Sequence, residues 1–154
     1  MNPAKHRFHP VELLEHAGFD KEAVYSHIMT RDGVSREEIE ARSRLLIYLL
    51  PGAVALSKFP HAALQIGQLN LLPLMGAFGF ALQSCLTLGD AFDLMHRYYP
   101  LIGQGVQWQT ITVDKGAALR LKIEAGTPDQ KRLMTELAFS NCFFMAKVFT
   151  GKTL

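Results

Sequence analysis

Apolar positions are densest over residues 71–101, where their spacing predicts two consecutive helices separated by a capped break. Leu74, Phe78, Leu82 and Cys85 recur at intervals of four and three, and Ala77 and Ala81 form a second small apolar row beside them. A helix that is apolar almost all round is expected to be buried. Gly76 and Gly79 inside it cost about 1 kcal/mol each relative to alanine, which makes sense if another backbone passes close to that face. The break falls at Thr87, whose hydroxyl can accept from the amide of Asp90 as an N-cap. Leu88, Phe92, Met95 or His96, and Tyr99 then continue on one face until Pro100 forbids another turn.

Upstream the same reading gives three further helices. Pro10 suits a first helical position, Val11, Leu13, Leu14 and Ala17 supply an apolar side, and Gly18 supplies the stop. Asp20 caps a second helix over residues 21–29. Ser35 and Glu38 form a capping box with Val34 and Ile39 placed as a hydrophobic staple, opening a helix predicted to run over residues 36–50 until Pro51-Gly52 breaks it. Its polar face, with Glu37, Glu40 and Arg44, reads as a solvated surface. Residues 62–69 are read as helix in preference to strand.

The one β signal follows the central helices. Residues 104–113 and 117–125 are extended runs joined by Asp114-Lys115-Gly116, a three-residue hairpin loop in which Gly116 takes the left-handed position. Leu119, Leu121 and Ile123 alternate with Arg120, Lys122 and Glu124, so one face packs on the core and the other meets water. In the first strand Val106, Trp108, Thr110 and Thr112 lie on one side, Gln107, Gln109, Ile111 and Val113 on the other. Thr127 and Gln130 form a second capping box, opening a last helix over residues 128–150 that is expected to pack on the sheet and to end at Gly151. The fold class expected is α+β, mostly helical with a small antiparallel β-hairpin packed against helices, as a single domain over residues 1–154.

Composition narrows the function. The net charge is +2, with basic and acidic residues interspersed, so no stripe for nucleic acid is visible. Cys85 and Cys142 both sit in apolar helical stretches, which suits buried thiols in a reducing cytoplasm and predicts no disulfide. Residues 1–9 read as a frayed basic arm without a secretory leader. The apolar window 69–88 approaches bilayer length but contains Asn70, Pro73, Gln83 and Ser84. A cytoplasmic protein with no membrane partner is expected.

Candidate chemistry is sparse. Gln83-Ser84-Cys85 lacks the flanking glycines of a nucleophile elbow, so no catalytic residue is assigned. His6, His9, His61 and His96 lack companions at ligand spacing, and no metal or cofactor is assigned either. Gly76-Ala77-Phe78-Gly79 does not stand between a strand and a helix and is no phosphate loop. What remains is recognition: Phe78, Phe80, Phe92, Met95, Tyr98, Tyr99, Trp108 and Phe139 are the material of an apolar pocket. Such a pocket is expected between the hairpin and the helices at 88–99 and 128–150, with His96, Tyr99, Gln107 and Trp108 as its orienting groups.

The string Gly79-x-Ala81-Leu82-x-Ser84, then Thr87-Leu88-Gly89-x-Ala91, then Arg97-Tyr98 and Gly105-Val106, resembles the core of the effector-binding N-terminal domain, of arabinose-binding type, in one branch of the AraC/XylS family of transcriptional regulators. Looser similarity covers residues 11–154, including Leu14-x-x-Ala17-Gly18-Phe19-Asp20. The resemblance implies a domain that binds a small-molecule effector and reaches DNA only through a C-terminal helix-turn-helix domain absent from this chain, and the open edge of a two-stranded hairpin leads to the expectation of a homodimer. The natural protein is accordingly expected to continue past the last helix. The alternative is a structural dimerisation module without a ligand.

Overall fold

In a computed structural model, residues 9–101 and 105–152 are described; the expected arm at 1–8 and the strand start at Gln104 lie outside them. Eight helices and a two-stranded antiparallel sheet are found among these residues, in agreement with the α+β expectation. The first three helices are α1 (Pro10–His16), α2 (Lys21–Asp32) and α3 (Arg36–Arg42). His9, rather than fraying, caps α1: its ring Nδ1 accepts from the Val11 amide at 3.3 Å. Asp20 caps α2, and the Ser35/Glu38 capping box opens α3 with both of its hydrogen bonds formed.

The predicted helix 36–50 is broken earlier than expected and restarts. Ser43 turns its hydroxyl back onto the Glu40 carbonyl at 2.8 Å, ending α3 at Arg42, and α4 (Leu46–Ser57) runs straight through Pro51. Burial outweighs the local helix breakers here. Leu49, Leu50 and Ala53 are fully buried, and Gly52 lies so close to α2 that a Cβ there would meet Ile28 Cγ1 at 2.8 Å. Pro51-Gly52 therefore serves a helix crossing, not a stop.

The segment at 71–85 also departs from expectation. After α5 (Ala62–Gly67) comes a 3₁₀ turn, Leu72–Met75, and then α6 (Ala77–Gln83). Gly76 joins them with φ +54° and ψ −133°, a conformation that excludes a continuous helix and that side chains resist. Nor is α6 buried all round: only Gly79 and Leu82 are, while Phe80 is 73% exposed. The close backbone approach expected at Gly79 is present, since a Cβ there would lie 2.1 Å from the Leu72 carbonyl oxygen.

Helix α7 (Leu88–Tyr98) starts at Thr87 with a complete capping box to Asp90, and a 3₁₀ turn, Tyr99–Leu101, follows it. The hairpin pairs β1 (Val106–Val113) with β2 (Gly116–Ile123) from Val106 opposite Ile123 to Val113 opposite Gly116. The turn is thus two residues, Asp114-Lys115, and Gly116 opens β2 at φ +150° instead of holding a left-handed loop position. Helix α8 (Pro128–Thr150) begins at the Thr127/Gln130 capping box and ends at Gly151, φ +62°. It packs chiefly on α4 and α5, not on the sheet, which it meets through Trp108. Among the described residues no helix is long and apolar enough to cross a membrane.

Candidate functional site

The hairpin, α7 and α8 leave a cavity of about 180 Å³ between them, closed on its other sides by α1, α4, α6 and the loop between α3 and α4. Each wall follows from local sequence. The alternation of β1 turns Val106 and Trp108 inward, where both are buried. Helix α7 presents Ala91 and Met95, and α8 presents Met134, Ala138 and Cys142 one to two turns apart. The Trp108 ring packs edge-on against Phe139 with centroids 5.3 Å apart.

The four residues expected to orient a ligand are distributed unequally. Tyr99 and Trp108 line the cavity together. His96 is exposed on α7 and its ring Nδ1 hydrogen-bonds the Trp108 carbonyl, tying α7 to β1 from outside. Gln107 faces the other side of β1 and donates to Glu124 Oε1 at 3.0 Å. The structure thus places Gln107 away from the cavity and gives His96 a hold on the backbone of the wall.

Three polar features were not anticipated. Arg44, in the loop between α3 and α4, lines the cavity while remaining exposed, so it stands where the cavity meets solvent. It is the only charged side chain in the lining and makes no ion pair among the described residues. Asn141 also lines it, but its Nδ2 is committed to the carbonyls of Gly67 and Leu69 at 2.9 and 3.2 Å. The Trp108 indole N–H is buried with no acceptor among the described residues, a state that costs about 1–3 kcal/mol. Arg44 was not singled out from sequence because a helix running unbroken through it makes it part of a solvated face. Cys142 carried no signal beyond its apolar neighbours.

The interior of the cavity is neutral. Burial pushes the Tyr99 hydroxyl up to about 12 and the Cys142 thiol up to about 11. Cys142 gives a measurable consequence. Between pH 9 and 11 the unfolded chain loses the thiol proton while the folded chain keeps it, so the unfolded state binds fewer protons and stability falls as pH rises. Cys142→Ala is expected to flatten that part of the alkaline stability curve, as read by urea unfolding; an unchanged slope would refute the thiol's burial. Among the described residues no three His, Cys, Asp or Glu side chains come together to hold a metal.

No curated protein and no solved structure matches the chain significantly. A family model does: the arabinose-binding domain of AraC transcription regulator, N-terminal, over residues 10–154. The cavity is built by elements that all lie inside that span, and the chain belongs to the family of N-terminal arabinose-binding domains of AraC transcription regulators, which are ligand-sensing and regulatory.

Proposed function

We propose that this domain binds a small, largely apolar effector in the cavity between the hairpin, α7 and α8, and that occupancy alters an attached C-terminal DNA-binding domain in a cytoplasmic homodimer. The observation that carries the reading is the cavity itself, apolar within, with the unpartnered Trp108 N–H in its wall. Apolar enclosure with a few polar groups is how small-molecule sites are built. A pentose such as arabinose fits these walls poorly. Its hydroxyls each need a partner when desolvated, and the lining offers Tyr99, Trp108, an already committed Asn141 and the peripheral Arg44.

An effector shifts the regulator only by the difference in its affinity for the two arrangements of the attached domain. The direct test is a thermal-shift screen of metabolites read by the fluorescence of Trp108, the single tryptophan. A true effector at 100 times its dissociation constant is expected to raise the melting temperature by about 5–10 °C and to change the Trp108 emission. A hit that stabilises without touching Trp108 would place the site elsewhere.

The second reading is a dimerisation module without a ligand. Phe139 and Phe143, one turn apart on α8, are 40% and 56% exposed, which favours a covered face. That reading predicts dimers by sedimentation and no stabilising compound.

A further inference from the structure

The lining of the cavity specifies more than an apolar occupant. Four of the six methionines, Met75, Met95, Met134 and Met145, line it together with Phe92, Tyr99 and Trp108. Thioethers pack favourably against ring edges and adapt to irregular shapes, and aromatic walls favour edge-to-face partners. The volume of about 180 Å³ is close to that of an engineered apolar cavity of about 150 Å³ that takes up benzene. One ring therefore fills the interior. At the mouth stands Arg44, whose planar guanidinium is matched to a carboxylate by two parallel hydrogen bonds. Among the described residues the lining holds no Asp, Glu, Lys or His to compete with it or oppose it.

We propose that the effector is a small aromatic monocarboxylate, its ring among the methionines and Trp108 and its carboxylate on Arg44 at the mouth. The proposal rests on the cavity being the effector site. A neutral arene would fill the interior and leave Arg44 unused, whereas an aryl amine would bring a cation against a cation.

The test titrates Trp108 fluorescence with three probes of matched shape, 3-phenylpropionate, 3-phenylpropan-1-ol and 3-phenylpropylamine, against the native chain, Arg44→Gln and Arg44→Lys. In the native chain the carboxylate is expected to bind about tenfold more tightly than the alcohol, the range of a hydrogen bond to a charged group, and the amine least tightly. The preference should shrink in high salt, because the mouth is exposed. In Arg44→Gln the carboxylate falls to the level of the alcohol while the alcohol is unchanged, which also shows that the variant is folded; Arg44→Lys restores part of the preference. An alcohol bound as tightly as the carboxylate by the native chain, or a carboxylate preference that survives Arg44→Gln, overturns the arginine anchor and leaves the cavity site standing. If none of the three probes perturbs Trp108, the cavity reading falls and this inference with it.

Discussion

Replacing Gly67 by alanine is expected to destabilise the domain by about 3 kcal/mol, although alanine is the better helix former by about 1 kcal/mol. The reason is the crossing of α5 over α8. A Cβ on Gly67 would lie 2.4 Å from the Leu137 carbonyl oxygen, 2.7 Å from Ser140 Cβ and 3.0 Å from the Asn141 amide nitrogen. Two of those three atoms are backbone inside a 23-residue helix, so relief requires the helices to part. Parting them also stretches the bonds that hold the crossing: Ser140 Oγ to the Leu64 carbonyl at 2.7 Å, and Asn141 Nδ2 to Gly67 and Leu69. Gly89→Ala is the internal control. Gly89 is helical and exposed, and its added Cβ would meet only Thr87 Oγ1 at 3.6 Å, so the same change should be neutral or stabilising by up to about 1 kcal/mol. Urea unfolding of both variants with unchanged slopes settles the matter; equal stabilities for the two would show that the crossing is loose.

The crossing bears on function because α8 has two working sides. One is pinned to α5 through Ser140 and Asn141, and the other supplies Ala138 and Cys142 to the cavity. Gly67 therefore helps to seat the helix that forms one wall of the cavity.

What could be read from the chain alone divides along the same line between local and tertiary causes. The capping boxes at Ser35 and Thr127 and the N-cap at Thr87 are each contained within four residues, and all three are formed in the structure, the last as a full capping box. Strand alternation was equally local and correctly put Leu121 and Ile123 on the core side. The helix boundaries near 43 and 76 were not readable. At the first, the Ser43 hydroxyl turns back onto the Glu40 carbonyl, and burial of Leu46, Leu49 and Leu50 restarts the chain as α4 and carries it through a proline; at the second, one glycine at positive φ divides an apolar pattern whose period is unbroken. The candidate site follows suit. Tyr99 and Trp108 could be singled out as aromatics at the ends of a helix and a strand. Gln107 belongs to the opposite face of β1 by the very alternation that turns Trp108 inward. Arg44 sat in a pattern that read as solvated helix surface, and it reaches the cavity mouth only because α3 ends two residues before it.

Filling the cavity should separate binding from folding. Ala138 is buried on α8, lines the cavity and packs in one cluster with Trp108 and Cys142. Ala138→Leu adds three carbons to a space that one ring would occupy. Because the space exists in the folded protein, stability is expected to stay the same or rise by about 1 kcal/mol, whereas a compressed core would lose about 1–3 kcal/mol. Affinity for an aromatic probe is expected to fall by about 100-fold, some 2.7 kcal/mol, since probe and leucine claim the same volume. The two measurements are coupled in their meaning. A variant that stays folded yet binds 3-phenylpropionate as the native chain does would put the ligand outside the cavity, on some surface that Trp108 senses at a distance. Loss of binding with stability retained instead ties the response to the interior. Sedimentation of the same variant adds a third reading: an association state that depends on the exposed Phe139 and Phe143 should not change, so dimerisation and ligand binding would be resolved as separate properties of one helix.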